Sequence, residues 1–131
     1  MADVAEKMLE RNNWHPTLLE IKSSIEFITS QKYNSVLANY YRDGSDSMGW
    51  HSDDESMLDK DSAIASVSLG QERPLHFKHK NQDISFAIDQ SHGSVIVMDG
   101  DTQKYWKHCI KKSKKLIKPR LNLTFRTIIT A

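Results

Sequence analysis

His51 and Asp53 stand one residue apart, His108 follows 57 positions after His51, and the stretch Arg120-Leu121-Asn122-Leu123-Thr124-Phe125-Arg126 comes shortly after that. Two imidazoles and one carboxylate can occupy one face of an octahedral iron(II), leaving three positions open for a co-substrate and oxygen. Chemistry of that kind is oxidative. Residues i and i+2 of an extended segment project from the same face, so His51 and Asp53 can share one metal while Ser52 points away. An isolated His-x-Asp is more often simple loop polarity, so the rest of the chain must strengthen the case.

The C-terminal stretch does so. Its alternation puts Arg120, Asn122, Thr124 and Arg126 on one face of an expected strand and Leu121, Leu123 and Phe125 on the other. The apolar face is a core face. The polar face lies on the inner or the solvent side of a sheet, and on the inner side two guanidinium groups are costly unless an anion meets them. The two arginines lie roughly 20 Å apart along a strand at about 3.3 Å per residue. They would have to lean toward each other around a small dicarboxylate, as an end-to-end clamp.

Six stretches then form a pattern: Asn39-Tyr40-Tyr41-Arg42-Asp43-Gly44, Trp50-His51-Ser52-Asp53-Asp54-Glu55, Ile64-Ala65-Ser66-Val67-Ser68-Leu69-Gly70, His92-Gly93-Ser94, Trp106-Lys107-His108 and Pro119 through Arg126. In these, and in their order over residues 36 to 128, the chain resembles the AlkB family of iron(II)- and 2-oxoglutarate-dependent dioxygenases. The resemblance implies that His51, Asp53 and His108 hold the iron, and that Arg120, with Asn39 and Tyr41, clamps the distal carboxylate of 2-oxoglutarate. Asn122 and Arg126 match the remaining co-substrate residues, Arg126 toward the carboxylate nearest the metal. Glu55 matches the position that reads the exocyclic amine of a flipped methylated base.

The implied reaction consumes 2-oxoglutarate and O2 and hydroxylates an N-methyl group, which is then lost as formaldehyde with succinate and CO2 as co-products. The implied partner is alkylated DNA or RNA, because a base inside a duplex is unreachable and must be flipped out or already single-stranded. Two other readings stay open: a dioxygenase of the same fold acting on a small molecule or a protein, and a non-catalytic nucleic-acid-binding module. The intact triad argues against the last.

Composition is consistent with this reading. A chain of 131 residues is expected to form one domain. The net charge of +1 excludes a globally polybasic protein, but the sign is unevenly spread. Residues 43 to 61 hold seven acids against one Lys, and residues 107 to 120 hold seven Lys or Arg and no acid. Within the latter, Lys111, Lys112, Lys114 and Lys115 form a candidate phosphate-contacting surface whose contribution should fall steeply with salt. The single cysteine, Cys109, excludes an internal disulfide framework, and no apolar run reaches membrane-spanning length. An intracellular monomer is expected.

The elements that must position these residues are mainly β. Residues 1–34 read as helical support, with a short helix at 3–11 and a firmer one over Pro16 to Ser30 carrying the apolar stripe Leu18, Ile21, Ile25 and Ile28. Residues 35–131 read as a catalytic core of eight strands, at about 35–42, 48–51, 63–69, 74–79, 84–88, 94–98, 105–110 and 120–129. Turns are expected at Asp43-Gly44, Asn81-Gln82-Asp83, Ser91-His92-Gly93 and Asp99-Gly100. Eight short strands on a two-sheet plan give a jelly roll, the double-stranded β-helix that the resemblance also implies.

Several residues take ordinary roles. Trp50, Trp106 and Tyr40 are expected as strand and core aromatics, Met48 as packing, and His15, His76, His79 and His92 as surface or turn histidines. Cys109 should face away from His108. AlkB relatives generally carry a lid segment ahead of the core, whereas only about 35 residues precede the first expected strand here. The chain is thus expected to be either a minimal member or a fragment, with Trp14 as a packing residue flanking the helix.

Overall fold

The computed structural model describes residues 5–8, 14–115 and 117–129. In chain order the elements are β1 (Ala5–Met8), α1 (Pro16–Thr29), β2 (Ser35–Tyr41), β3 (Met48–His51), β4 (Ile64–Gly70), β5 (Arg73–His79), β6 (Ser85–Gln90), β7 (Ser94–Met98), α2 (Gly100–Tyr105), β8 (Trp106–Ile110) and β9 (Arg120–Arg126). They form two antiparallel sheets, ordered β1-β2-β9-β4-β7 and β3-β8-β5-β6, which is the jelly roll expected from the sequence.

Alternation along β2, β4 and β9 divides the larger sheet into two differently used faces. Val36, Ala65, Val67, Leu123 and Phe125 turn to one side and are buried with Ile25 of α1 and with Tyr33. Trp14 stacks on Phe125 with ring centroids 6.4 Å apart, the packing role expected of it. The opposite face looks toward the smaller sheet. There Tyr41, Ile64 and Met98 meet Leu75, Phe77 and Ile110, with Met48 and Trp106 packed alongside.

α1 begins where Pro16 predicts. The backbone N–H of Thr17 donates to His15 Nδ1 at 3.1 Å, which caps the helix start, and Ser30 ends it in the left-handed region at φ 57°. The apolar stripe is shorter than expected. Leu18, Ile21 and Ile25 face the sheet, but Ile28 is 68 % exposed, because in the last turn Thr29, with Tyr33 against it, takes the inward side.

Two elements depart from the sequence reading. Ala5 to Met8 form a strand paired with β2, from Ala5 opposite Tyr40 to Met8 opposite Leu37, where a helix at 3–11 was expected; the other residues of that range lie outside those described. Ala, Glu, Lys and Met favour helices, but an open edge of β2 offers a full ladder of hydrogen bonds, and that outweighs propensity. Asp99-Gly100, read as a turn, starts the short helix α2, with Asp99 Oδ1 accepting from Thr102 N at 3.0 Å. Its six residues carry no apolar stripe to betray it. A Cβ on Gly100 would lie 2.5 Å from the Lys60 carbonyl, so the close approach of this turn needs glycine.

Candidate active site

His51 ends the edge strand β3, and His108 is its direct partner across the antiparallel pair with β8. Both rings therefore rise from the same face, with centroids 4.3 Å apart. Asp53 follows two residues after His51, buried at 8 % exposure. One ligand atom from each of the three lies within 4.8 Å of the others. His108 Nε2 is 3.4 Å from Asp53 Oδ2, and His51 Nε2 is 4.0 Å from Asp53 Oδ1.

Surrounding bonds orient this group. His51 Nδ1 lies 2.7 Å from the Gly49 carbonyl, which can only accept, so Nδ1 carries the proton and Nε2 keeps its lone pair for a metal. The backbone N–H of Asp53 donates to Gln103 Oε1 of α2 at 2.8 Å, and Ser52 Oγ donates to the Trp106 carbonyl at 2.6 Å. Arg126 Nη2 donates to Asp53 Oδ1 at 2.7 Å. Burial is the largest influence on the Asp53 carboxyl and pushes its pKa up. The hydrogen bond with His108 and the charges of Arg126, His108 and His51 together outweigh it, so the net shift is downward and the group is a carboxylate.

The polar face of β9 lies inside, and all four of its residues are buried: Arg120 2 %, Asn122 7 %, Thr124 7 % and Arg126 5 % exposed. Register brings Asn39 opposite Asn122 and Tyr41 opposite Arg120. Arg120 Nε donates to Ser68 Oγ at 2.8 Å and Nη2 to Gln90 Oε1 at 2.7 Å, while Nη1 is buried with no hydrogen-bond partner. Burial, more than any other effect, pushes this guanidinium below its ordinary pKa, with Tyr41 opposing. Asn39 Oδ1 and Arg126 Nε are likewise buried and unpaired.

These groups surround one cavity of about 140 Å³, whose walls include all three members of the triad together with Asn39, Tyr41, Arg120, Asn122, Arg126 and Glu55. The residues fit the group the sequence calls for: two imidazoles and a carboxylate at one end, a tethered guanidinium with a free N–H at the other. Such an N–H, buried without a partner, is expensive unless an anion meets it. Both arginines expected to form the clamp line this cavity. Arg126 pairs with the carboxylate of Asp53, which is buried with it. Asn122 is a wall of the cavity, its amide donating to Ser66 Oγ and the Val67 carbonyl and accepting from Thr124 Oγ1.

Glu55 sits at the mouth, its side chain 47 % exposed and Oε1 3.8 Å from Arg126 Nη1. Lys111, Lys112, Lys114 and Lys115 are exposed in the loop after β8, and none of the four lines the cavity. Sequence reasoning passed over Ser68, Gln90, Gln103 and Arg73. Arg73 is 2 % exposed, its guanidinium donating to the carbonyls of Asp43, Asp46 and Lys111 and lying 5.3 Å from the Tyr41 ring centroid, to which Arg120 also comes within 5.0 Å. The signal was present in β5, where Arg73 shares the inward alternation of Leu75 and Phe77.

A jelly roll with two imidazoles, a carboxylate and a buried arginine around one cavity defines a non-haem iron oxygenase scaffold. The sequence profile of the 2OG-Fe(II) oxygenase superfamily matches residues 2–126. Alpha-ketoglutarate-dependent dioxygenase alkB homolog 3 of Bos taurus is 41 % identical over 125 residues, covering 88 % of this chain and 44 % of the relative. DNA oxidative demethylase ALKBH2 of Homo sapiens is 39 % identical over 124 residues, covering 88 % of this chain and 48 % of the relative. The solved structure of OsALKBH1 superposes with a TM-score of 0.59 at 25 % identity, over 82 % of this chain and 60 % of the other. The chain belongs to the 2OG-Fe(II) oxygenase superfamily, in its AlkB branch. It spans less than half the length of these two curated relatives.

Proposed function

We propose that this protein is an Fe(II)- and 2-oxoglutarate-dependent dioxygenase that removes N-methyl groups from nucleic-acid bases of the 1-methyladenine and 3-methylcytosine type. The substrate is single-stranded or has its target base flipped out, and the protein acts as an intracellular monomer. The observation that carries this reading is the cavity itself: the His51, Asp53 and His108 cluster at one end, the unpaired Nη1 of Arg120 at the other, and the carboxylate of Glu55 at the mouth. Relatives named for oxidative demethylation of DNA support the substrate class.

In this reading His51, Asp53 and His108 hold iron(II), and Arg120 takes the distal carboxylate of 2-oxoglutarate with Tyr41 and Asn39 beside it. Iron, 2-oxoglutarate and oxygen together supply the oxidising power that hydroxylates the methyl carbon, after which formaldehyde leaves. The His108 contact and then the Arg126 charge favour the ionised Asp53, and Arg126 Nη2 holds its carboxylate in place. Gln103 and the Gly49 carbonyl fix the Asp53 backbone and the His51 ring. Glu55 accepts a hydrogen bond from the exocyclic amine of the base and favours the cationic methylated ring over its neutral parent.

The test is demethylation of a 1-methyladenine oligonucleotide, followed by mass and by formaldehyde release. Glu55→Gln should lower that rate roughly 10- to 100-fold, the worth of one hydrogen bond to a charged group. Succinate formed without nucleic acid should not change. Succinate production by the wild type with no loss of methyl from any oligonucleotide would transfer the assignment to a different substrate class.

A further inference from the structure

The smaller sheet has a second polar face, turned away from the cavity. Trp50 is the chain neighbour of His51 and points the opposite way, 37 % exposed, with Lys78 Nζ 4.3 Å and Lys111 Nζ 6.0 Å from its ring centroid. A shallow groove of about 710 Å³ runs over this face past Trp50, His76, Lys78 and Lys111. Lys107 is the Cα partner of Lys78 and adds an exposed cation on the outward side of β8. Of the nearby acids, Asp83 of the β5–β6 turn lines the same groove and Asp89 of β6 acts on the His76 ring, so the cations Lys78, Lys107 and Lys111 gather toward the β3 and β8 side of the face.

An indole flanked by ammonium groups offers a platform for a base and partners for its phosphates. Such a surface does not require a methylated base. Because β3 is an edge strand of only four residues, a single strand crossing that edge passes from Trp50 on one side to His51 on the other. We propose that the outer face of the β3-β8-β5-β6 sheet binds a stretch of single-stranded nucleic acid outside the cavity, one base stacked on Trp50 and the phosphates on Lys78, Lys107 and Lys111. This rests on the nucleic-acid reading of the active site. It adds a sequence-independent hold that presents flanking nucleotides of the substrate.

The experiment measures anisotropy of a labelled, unmethylated oligothymidylate against salt, beside turnover of a trinucleotide carrying 1-methyladenine, which is too short to reach across the sheet. Lys78→Glu with Lys107→Glu should weaken oligothymidylate binding at least ten-fold and lower the logarithmic salt slope by about 1.4, at about 0.7 per phosphate on a single strand. Trp50→Leu should weaken it roughly ten-fold, and Trp50→Tyr should restore it. Trinucleotide turnover should be unchanged in the lysine pair. Unaltered oligothymidylate affinity in that pair, or an equal loss of trinucleotide turnover, overturns the proposal. If the wild type binds oligothymidylate through this face yet demethylates no oligonucleotide, the surface stands and the demethylase assignment falls.

Discussion

Arg120→Lys separates the two roles of a buried cation, and its consequences can be worked through from the contacts. The guanidinium is held by Ser68 and Gln90 and has Nη1 left over, so it can meet a carboxylate with more than one N–H while staying tethered. A lysine ammonium keeps the charge but loses at least one charge-assisted contact, about 2 kcal/mol, or about 30-fold in 2-oxoglutarate affinity. The assay is thermal unfolding under anaerobic conditions with Mn(II) in place of iron, with and without 2-oxoglutarate at about 100 times the wild-type Kd. Wild type should gain about 2.7 kcal/mol from the ligand, roughly a 10 °C rise in Tm for a chain of this size. The variant, with ligand at only about three times its Kd, should gain about 0.9 kcal/mol and move by roughly 3 °C. Arg120→Met supplies a second control, because it removes the charge and every N–H of the guanidinium together. The Met variant leaves the buried Gln90 Oε1 without its donor, so its ligand-free Tm should fall by roughly 3 to 10 °C for a cost of about 1 to 3 kcal/mol, while its shift on adding 2-oxoglutarate disappears. A full wild-type shift in the Lys variant would refute the assignment of Arg120 to the co-substrate.

Replacing His51, Asp53 or His108 by Ala should abolish iron-dependent succinate formation with the circular dichroism spectrum preserved; turnover surviving in any one would remove that residue from the metal site. Asp46 has its pKa lowered from 3.8 to about 2, first by the side-chain hydrogen bond from Arg42. A depressed carboxyl contributes stability above its unfolded pKa and loses it as pH falls through the folded one. Asp46→Asn should therefore lower Tm at neutral pH and converge on wild type as pH drops from about 4 to about 2, whereas parallel Tm curves would show that the Arg42 contact adds nothing. In Gly44→Ala the new Cβ would collide with the Ser113 carbonyl, so the β2–β3 turn and the lysine loop must separate. A fall in Tm of roughly 3 to 10 °C is expected for an overpacking cost of about 1 to 3 kcal/mol, and an unchanged Tm would mean that the two segments yield without effect.

What was legible in the sequence follows from which signals are local. β3 and β7 match their expected bounds, and β9 is recognisable because Leu121, Leu123 and Phe125 alternate strictly with polar residues. The triad was readable because His51 and Asp53 lie two apart on one strand end, while His108 came from the family resemblance. β1 was not readable, since its residues prefer helix and only the edge of β2 makes them extended. Nor could the sequence show that Arg126 would turn to Asp53, 73 residues away in the chain, since that choice depends on which carboxylate the fold buries beside it. Gln103 and Gln90 carry ordinary amides, and only their burial at 7 % and 1 % exposure makes them parts of the site.

The pairing of β2 with β9 places Asn39 opposite Asn122 and Tyr41 opposite Arg120, so the two sides of the proposed co-substrate pocket are joined across about 80 residues of intervening chain. Closing a loop of that length forfeits chain entropy before any contact repays it, and such pairings form slowly compared with hairpins like β5–β6. During synthesis, β2 must therefore wait with an unsatisfied edge until β9 has left the ribosome. The pocket cannot close until β9 is in place, and truncation before Arg120 would remove its Arg120, Asn122 and Arg126 wall while leaving the β3, β5, β6 and β8 segments present.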